Sequence, residues 1–151
     1  MPWRKGFLLA GVVIAAAVAA GCASRFKEPE PQAPHAVVVF PSQAAQAAAF
    51  LFLEPLEFNG VPRPRNWKGE RFRVPPGELR LRVRVAQENR QGTCELRFTT
   101  AAGMLYAVAG SSTGDAFSLT ASRDGEAVAG CEAPKTRLPT PPGMPPGVPP
   151  R

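Results

Sequence analysis

The most regular pattern in the chain is Leu79-Arg80-Leu81-Arg82-Val83-Arg84-Val85, in which apolar and cationic residues alternate without a break. Successive side chains of a strand point to opposite faces, so Leu79, Leu81, Val83 and Val85 share a core face and the three arginines share a solvent face. Cys94, Leu96 and Phe98 alternate with Glu95 and Arg97 in the same manner, which predicts a second half-buried strand, with 87–92 as the connection. Upstream, the β-branched run at 35–40 lies between Pro34 and Pro41 and predicts a strand, and the Ala/Gln-rich 43–49 predicts a helical turn leading into apolar 50–53. The strand-like 55–58 then meets Asn59-Gly60, a hairpin signal. Downstream, strands are expected at 104–109, 116–122 and 126–131, separated by the Gly/Ser/Thr/Asp-rich 110–115 and by Asp124-Gly125. Roughly six to eight short strands at intervals near ten residues, without a strong helical period, predict an all-β fold: a small antiparallel β-sandwich.

The two ends follow other rules. A basic start (Arg4, Lys5) precedes an uncharged apolar run of 14 residues, Phe7 to Ala20, and small residues lead into Cys22. A helix needs about 20 apolar residues to cross the hydrocarbon core, so 1–21 reads as a signal helix that is removed rather than a permanent span. Ala19-Ala20-Gly21-Cys22 resembles the lipobox of bacterial lipoproteins, departing from it at Ala19, where the family prefers Leu or a similar aliphatic residue. The resemblance implies that Cys22 becomes the mature N-terminus, carrying diacylglycerol on its sulfur. Thiol chemistry suits a thioether-linked lipid, and several acyl chains make an anchor that one chain does not. Ala23 lacks the Asp of an inner-membrane retention signal, so in an envelope with two membranes the outer one is the expected destination. Residues 22–34 are expected to form a flexible tether rich in Glu and Pro, and 134–151 a disordered tail, since its Pro-Pro-Gly recurs every four residues and not every three as a collagen helix needs. This leaves 35–133 as the folded domain.

Charge and composition then narrow the function. The formal charge of +6 falls by two, to +4, once Arg4 and Lys5 are removed, and no element combines basic residues with interleaved aromatics, so nucleic acid is not an expected partner. With Cys22 assigned to lipid, Cys94 and Cys131 remain, and two thiols in an oxidising compartment make a candidate disulfide. Arg80, Arg82 and Arg84, joined by Arg97 across the sheet, form a candidate basic binding face for an acidic polymer, a lipid phosphate or a partner's acidic patch; a soluble outer sheet face is the plainer reading. The single histidine, His35, sits at the domain edge, no Cys-x-x-Cys spacing exists, and Glu54 and Glu57 merely flank Pro55. No metal site, cofactor or catalytic group is therefore expected. Gly110-Ser111-Ser112-Thr113-Gly114 has the backbone amides to cradle an anion but lacks the Gly-Lys-Ser/Thr ending of a nucleotide loop, and an ordinary strand connection is the plainer reading.

The order Phe58-Asn59-Gly60-Val61-Pro62, Phe72-Arg73-Val74-Pro75-Pro76-Gly77 and Gly103-Met104-Leu105-Tyr106 is similar to that of PEGA-type and related carbohydrate-binding-like domains of bacterial surface proteins. The resemblance covers about half of the expected domain and lies in turn and core positions. It implies a transthyretin- or immunoglobulin-like sandwich, with the Tyr106 ring in the core and its hydroxyl bonded at the rim. The expected function is a non-enzymatic envelope lipoprotein, a structural or interaction module facing the periplasm, whose partners are the membrane through its anchor and an envelope protein or cell-wall polymer. The alternative is a glycan- or peptidoglycan-fragment-binding module using a loop pocket, and a hydrolase stands a distant third.

Overall fold

The computed structural model of the chain describes residues 24–65, 69–139 and 142, so the signal segment, Cys22 and residues 140, 141 and 143–151 of the Pro-rich tail lie outside the described residues. In chain order the elements are β1 (Ala36–Val39), α1 (Gln43–Ala49), β2 (Phe52–Phe58), β3 (Val61–Pro62), β4 (Arg71–Val74), β5 (Gly77–Gln87), β6 (Arg90–Thr100), β7 (Leu105–Thr113), β8 (Ala116–Arg123), β9 (Glu126–Pro134) and β10 (Thr136–Arg137). The strands make two five-stranded sheets, ordered β4-β1-β7-β8-β9 and β10-β6-β5-β2-β3, called below the β7 sheet and the β5 sheet. Every pairing is antiparallel except that of β1 with β7, so the chain is all-β and one of its sheets is mixed.

Alternation places the core. Leu79, Leu81, Val83 and Val85 of β5 are buried while Arg80, Arg82 and Arg84 between them are exposed. The inward faces of both sheets bury one apolar cluster, including Phe58, Phe72, Leu96, Phe98, Tyr106, Phe117 and Leu119. Rings bridge the sheets: Phe58 of β2 meets Phe72 of β4 at 4.8 Å, and Phe98 of β6 meets Tyr106 of β7 at 5.3 Å. The Tyr106 hydroxyl oxygen accepts the Ala101 N–H at 3.0 Å, so its ring is in the core and its polar end is satisfied at the rim.

Local chemistry explains the connections. Asn59 and Gly60 (φ 51° and 78°), like Asp124 and Gly125 (φ 52° and 82°), both adopt the left-handed backbone of the tight turn whose twist suits a two-residue hairpin. Pro55 donates no backbone hydrogen bond, and the β2–β5 ladder shifts register between Pro55 and Glu57 at a bulge. Ser42 caps α1 by accepting the Ala45 N–H, and the helix stops at Phe50, itself left-handed at φ 50°.

Several elements differ from expectation. The connection 87–92 shrinks to Glu88-Asn89, because β5 and β6 stay paired out to Gln87 and Arg90. The segment 110–115 is not a loop: Gly110 to Thr113 continue β7 and pair with β8, leaving Gly114-Asp115 as the turn. Turn-forming composition is overridden there by period-two packing, with Gly110 fitting against Leu51, Leu53 and Leu119 and Ser112 donating its hydroxyl to Gln87 Oε1 at 2.7 Å. At the C-terminal side the unit passes 133: β10 pairs with the free edge of β6, and Leu138 N–H reaches Asn89 O at 2.8 Å.

Residues 24–34 differ most from expectation. Instead of running free, this segment crosses from one sheet edge to the other. Phe26 stacks on Phe58 at 4.3 Å and donates its N–H to Pro62 O of β3 at 2.7 Å. Two residues on, Glu28 accepts the Arg73 N–H of β4 at 2.7 Å and sits 3.7 Å from the Arg73 guanidinium. Edge strands present unpaired backbone groups, and this strap satisfies some of them on β3 and β4.

Candidate functional site

The arginines singled out by the alternation stand on the outer face of the β5 sheet. Cross-strand register sets Arg80 opposite Arg97, Arg82 opposite Glu95 and Arg84 opposite Thr93 on β6, and sets Arg84 and Arg82 opposite Glu54 and Glu57 on β2. That register places a carboxylate within reach of most cations. Arg84 and Arg63 both bond Glu54; Arg82 lies 3.5 Å from Glu57, and Arg97 Nε lies 2.5 Å from Glu95.

On this face Arg63, Arg80, Arg82, Arg84 and Arg97 stand among Glu54, Glu57, Glu78 and Glu95, a mixed lattice of charges. The alternation of 79–85 revealed the cations. It carried no information about the acids, because cross-strand partners depend on the bulge at 55–57 and on hairpin register. Exposed ion pairs of this kind stabilise by about 0–1 kcal/mol each.

Cys94 and Cys131 come together: their sulfurs are 2.10 Å apart and their Cα atoms 6.0 Å apart. Cys94 lies on β6, opposite Val83, and Cys131 on β9, opposite Leu119, so the bond joins one sheet to the other. The flank closed by sulfur is the one formed by β9, β6 and β10. The opposite flank, β3 with β4, is the one closed by the strap.

A cleft of about 880 Å³ opens between α1 and β2, lined by residues including Phe40, Gln43, Gln46, Phe52, Glu54 and Glu70. No periodicity pointed to it, since it arises where the short helix leaves the sheet. Its polar groups are largely engaged. Gln46 donates to Pro41 O and accepts from Leu53 N–H, Glu54 holds two arginines, and Glu70 accepts the Gln43 N–H. The Phe52 ring in its lining is 49% exposed.

His35 Nδ1 lies 2.8 Å from Ala33 O at the entry to β1. Among the described residues no three His, Cys, Asp or Glu side chains gather as metal ligands, and no helix is long and apolar enough to cross a membrane. Comparison of the chain with models of protein families, with curated proteins and with solved structures finds no match.

Proposed function

We propose that the chain is a lipid-anchored protein of the bacterial envelope, whose all-β domain acts as a non-enzymatic structural or interaction module facing the periplasm. One observation carries the reading. With Cys94 and Cys131 bonded to each other, the one remaining cysteine of the chain's three is Cys22, which stands directly after Ala19-Ala20-Gly21 at the end of the apolar run. A cross-sheet disulfide suits an oxidising compartment, and the signal-like leader supplies the route to it. We also infer the finer fold, a transthyretin- or immunoglobulin-like sandwich akin to PEGA-type domains, from two face-to-face sheets with Pro75-Pro76-Gly77 leading into β5 and Tyr106 buried in β7. The saccharide-binding alternative drew on a loop at 110–114, and most of that loop is strand.

The test is metabolic labelling with a fatty-acid probe in a bacterial host. The wild-type chain is expected to take up label and Cys22→Ala to take up none. Equal labelling of the two would overturn the anchor.

A further inference from the structure

The strap brings the anchor closer to the domain than a free tether would. Phe26 is seated on Phe58 and hydrogen-bonded to Pro62, and Arg25 Nη1 donates to Arg63 O at 3.2 Å. Only three residues separate Cys22 from Phe26, and four Cα-to-Cα steps span at most about 14 Å. A lipid on Cys22 therefore pulls the β3–β4 flank toward the bilayer, leaving little room for the domain to turn another side to it.

That flank also has the chemistry a leaflet selects. Arg25, Lys27, Arg65 and Arg71 are exposed along it, against exposed Glu30 and Glu70, while Arg63 and Arg73 are held by Glu54 and Glu28. Cations near an anionic leaflet are attracted individually, over roughly a Debye length of about 8 Å at physiological salt. The short leash keeps these groups within a few such lengths of the lipid phosphates.

We propose that the β3–β4 flank lies against the leaflet that holds the anchor, with Arg25, Lys27, Arg65 and Arg71 directed at the phosphates of anionic phospholipids. The proposal rests on the lipid-anchor reading above. It gives the domain a fixed orientation: the cross-sheet sulfur bridge and the β9 edge face away from the membrane and toward other envelope components.

The test uses the full-length mature protein, purified with its anchor and reconstituted into phosphatidylcholine vesicles with or without phosphatidylglycerol. Some of the lipid carries a nitroxide on its headgroup. Trp67 follows the described Arg65 by two residues in the sequence and is the one tryptophan left once 1–21 are removed, so it reports within two residues of Arg65 without labelling. Its emission is expected to fall by roughly twofold or more with phosphatidylglycerol present, and less at high salt. Arg25→Gln, Lys27→Gln, Arg65→Gln and Arg71→Gln together are expected to remove the phosphatidylglycerol-dependent part. Inserting about twenty Gly/Ser residues between Ala23 and Ser24 leaves every described contact intact while letting the ends separate by about 25 Å, and should reduce quenching in phosphatidylcholine alone.

Protein that floats with the vesicles while Trp67 stays unquenched overturns the orientation and leaves the anchor standing. Protein that does not float overturns the anchor itself, and the orientation falls with it.

Discussion

Gly92 sits where backbone from one sheet closely approaches the other. It is buried on β6 opposite Val85, and a methyl group there would lie 3.0 Å from Ala133 Cβ, 3.0 Å from Pro134 O and 3.1 Å from the Phe117 ring. One neighbour is backbone and the others are packed in the core, so none can yield freely. Gly92→Ala is expected to destabilise by about 1–3 kcal/mol, read as a lower midpoint in urea unfolding with unchanged slope. Single residues also show the limit of reading a linear pattern. The core positions of β5 stood out because four apolar residues repeat at period two. Phe26 stood among Pro, Glu and Lys with no period to join, and its stacking on Phe58 depends on a β2–β3 hairpin formed more than thirty residues later.

At the scale of elements, the sheets are held at their two flanks by different means. The Cys94–Cys131 bond closes a loop of 37 residues between β6 and β9. In the chain-entropy model such a cross-link stabilises by about 3–4 kcal/mol, acting mainly on the unfolded chain. Reduction, or Cys94→Ala with Cys131→Ala, is accordingly expected to lower stability by that amount in chemical denaturation. The outer face of the β5 sheet allows a different check. Replacing Glu54, Glu57 and Glu95 by Gln uncovers its arginines, and the triple variant is expected to elute from an immobilised polyanion at clearly higher salt than the wild type. Equal elution would show that the carboxylates do not mask the face. Strand identity was legible in β1, β5 and β6, from β-branched or alternating residues, and so were the Asn59-Gly60 and Asp124-Gly125 turns, whose residues tolerate positive φ; the four-residue β4 was not foreseen as a strand although Phe72 and Val74 are buried. The segment 110–113 misled because Gly, Ser and Thr favour turns in isolation, whereas here they satisfy a ladder whose partner strand lies downstream.

For the whole molecule, the two outer faces differ in kind. The β5 sheet presents its ion-paired lattice, while the middle strands of the β7 sheet present Val37, Val39, Ala107, Ser118, Thr120 and Ser122, none of them charged. All-β class and two sheets around one core were legible from alternation and turn spacing. The fate of the ends was not, because docking of 24–34 and of β10 depends on free edges that exist only after the sheets form. The strap has a mechanical consequence. It meets the β2–β3 hairpin and β4 through one ring stack, one backbone bond, one bond from Arg25 to the Arg63 carbonyl and one carboxylate, so tension entering at residue 24 peels these contacts in succession before it can shear a ladder. Releasing 24–34 yields up to about 35–40 Å of slack at the contour length of an extended chain. The covalent clasp on the far flank meanwhile keeps the halves together, so the segment can reseat once the pull relaxes.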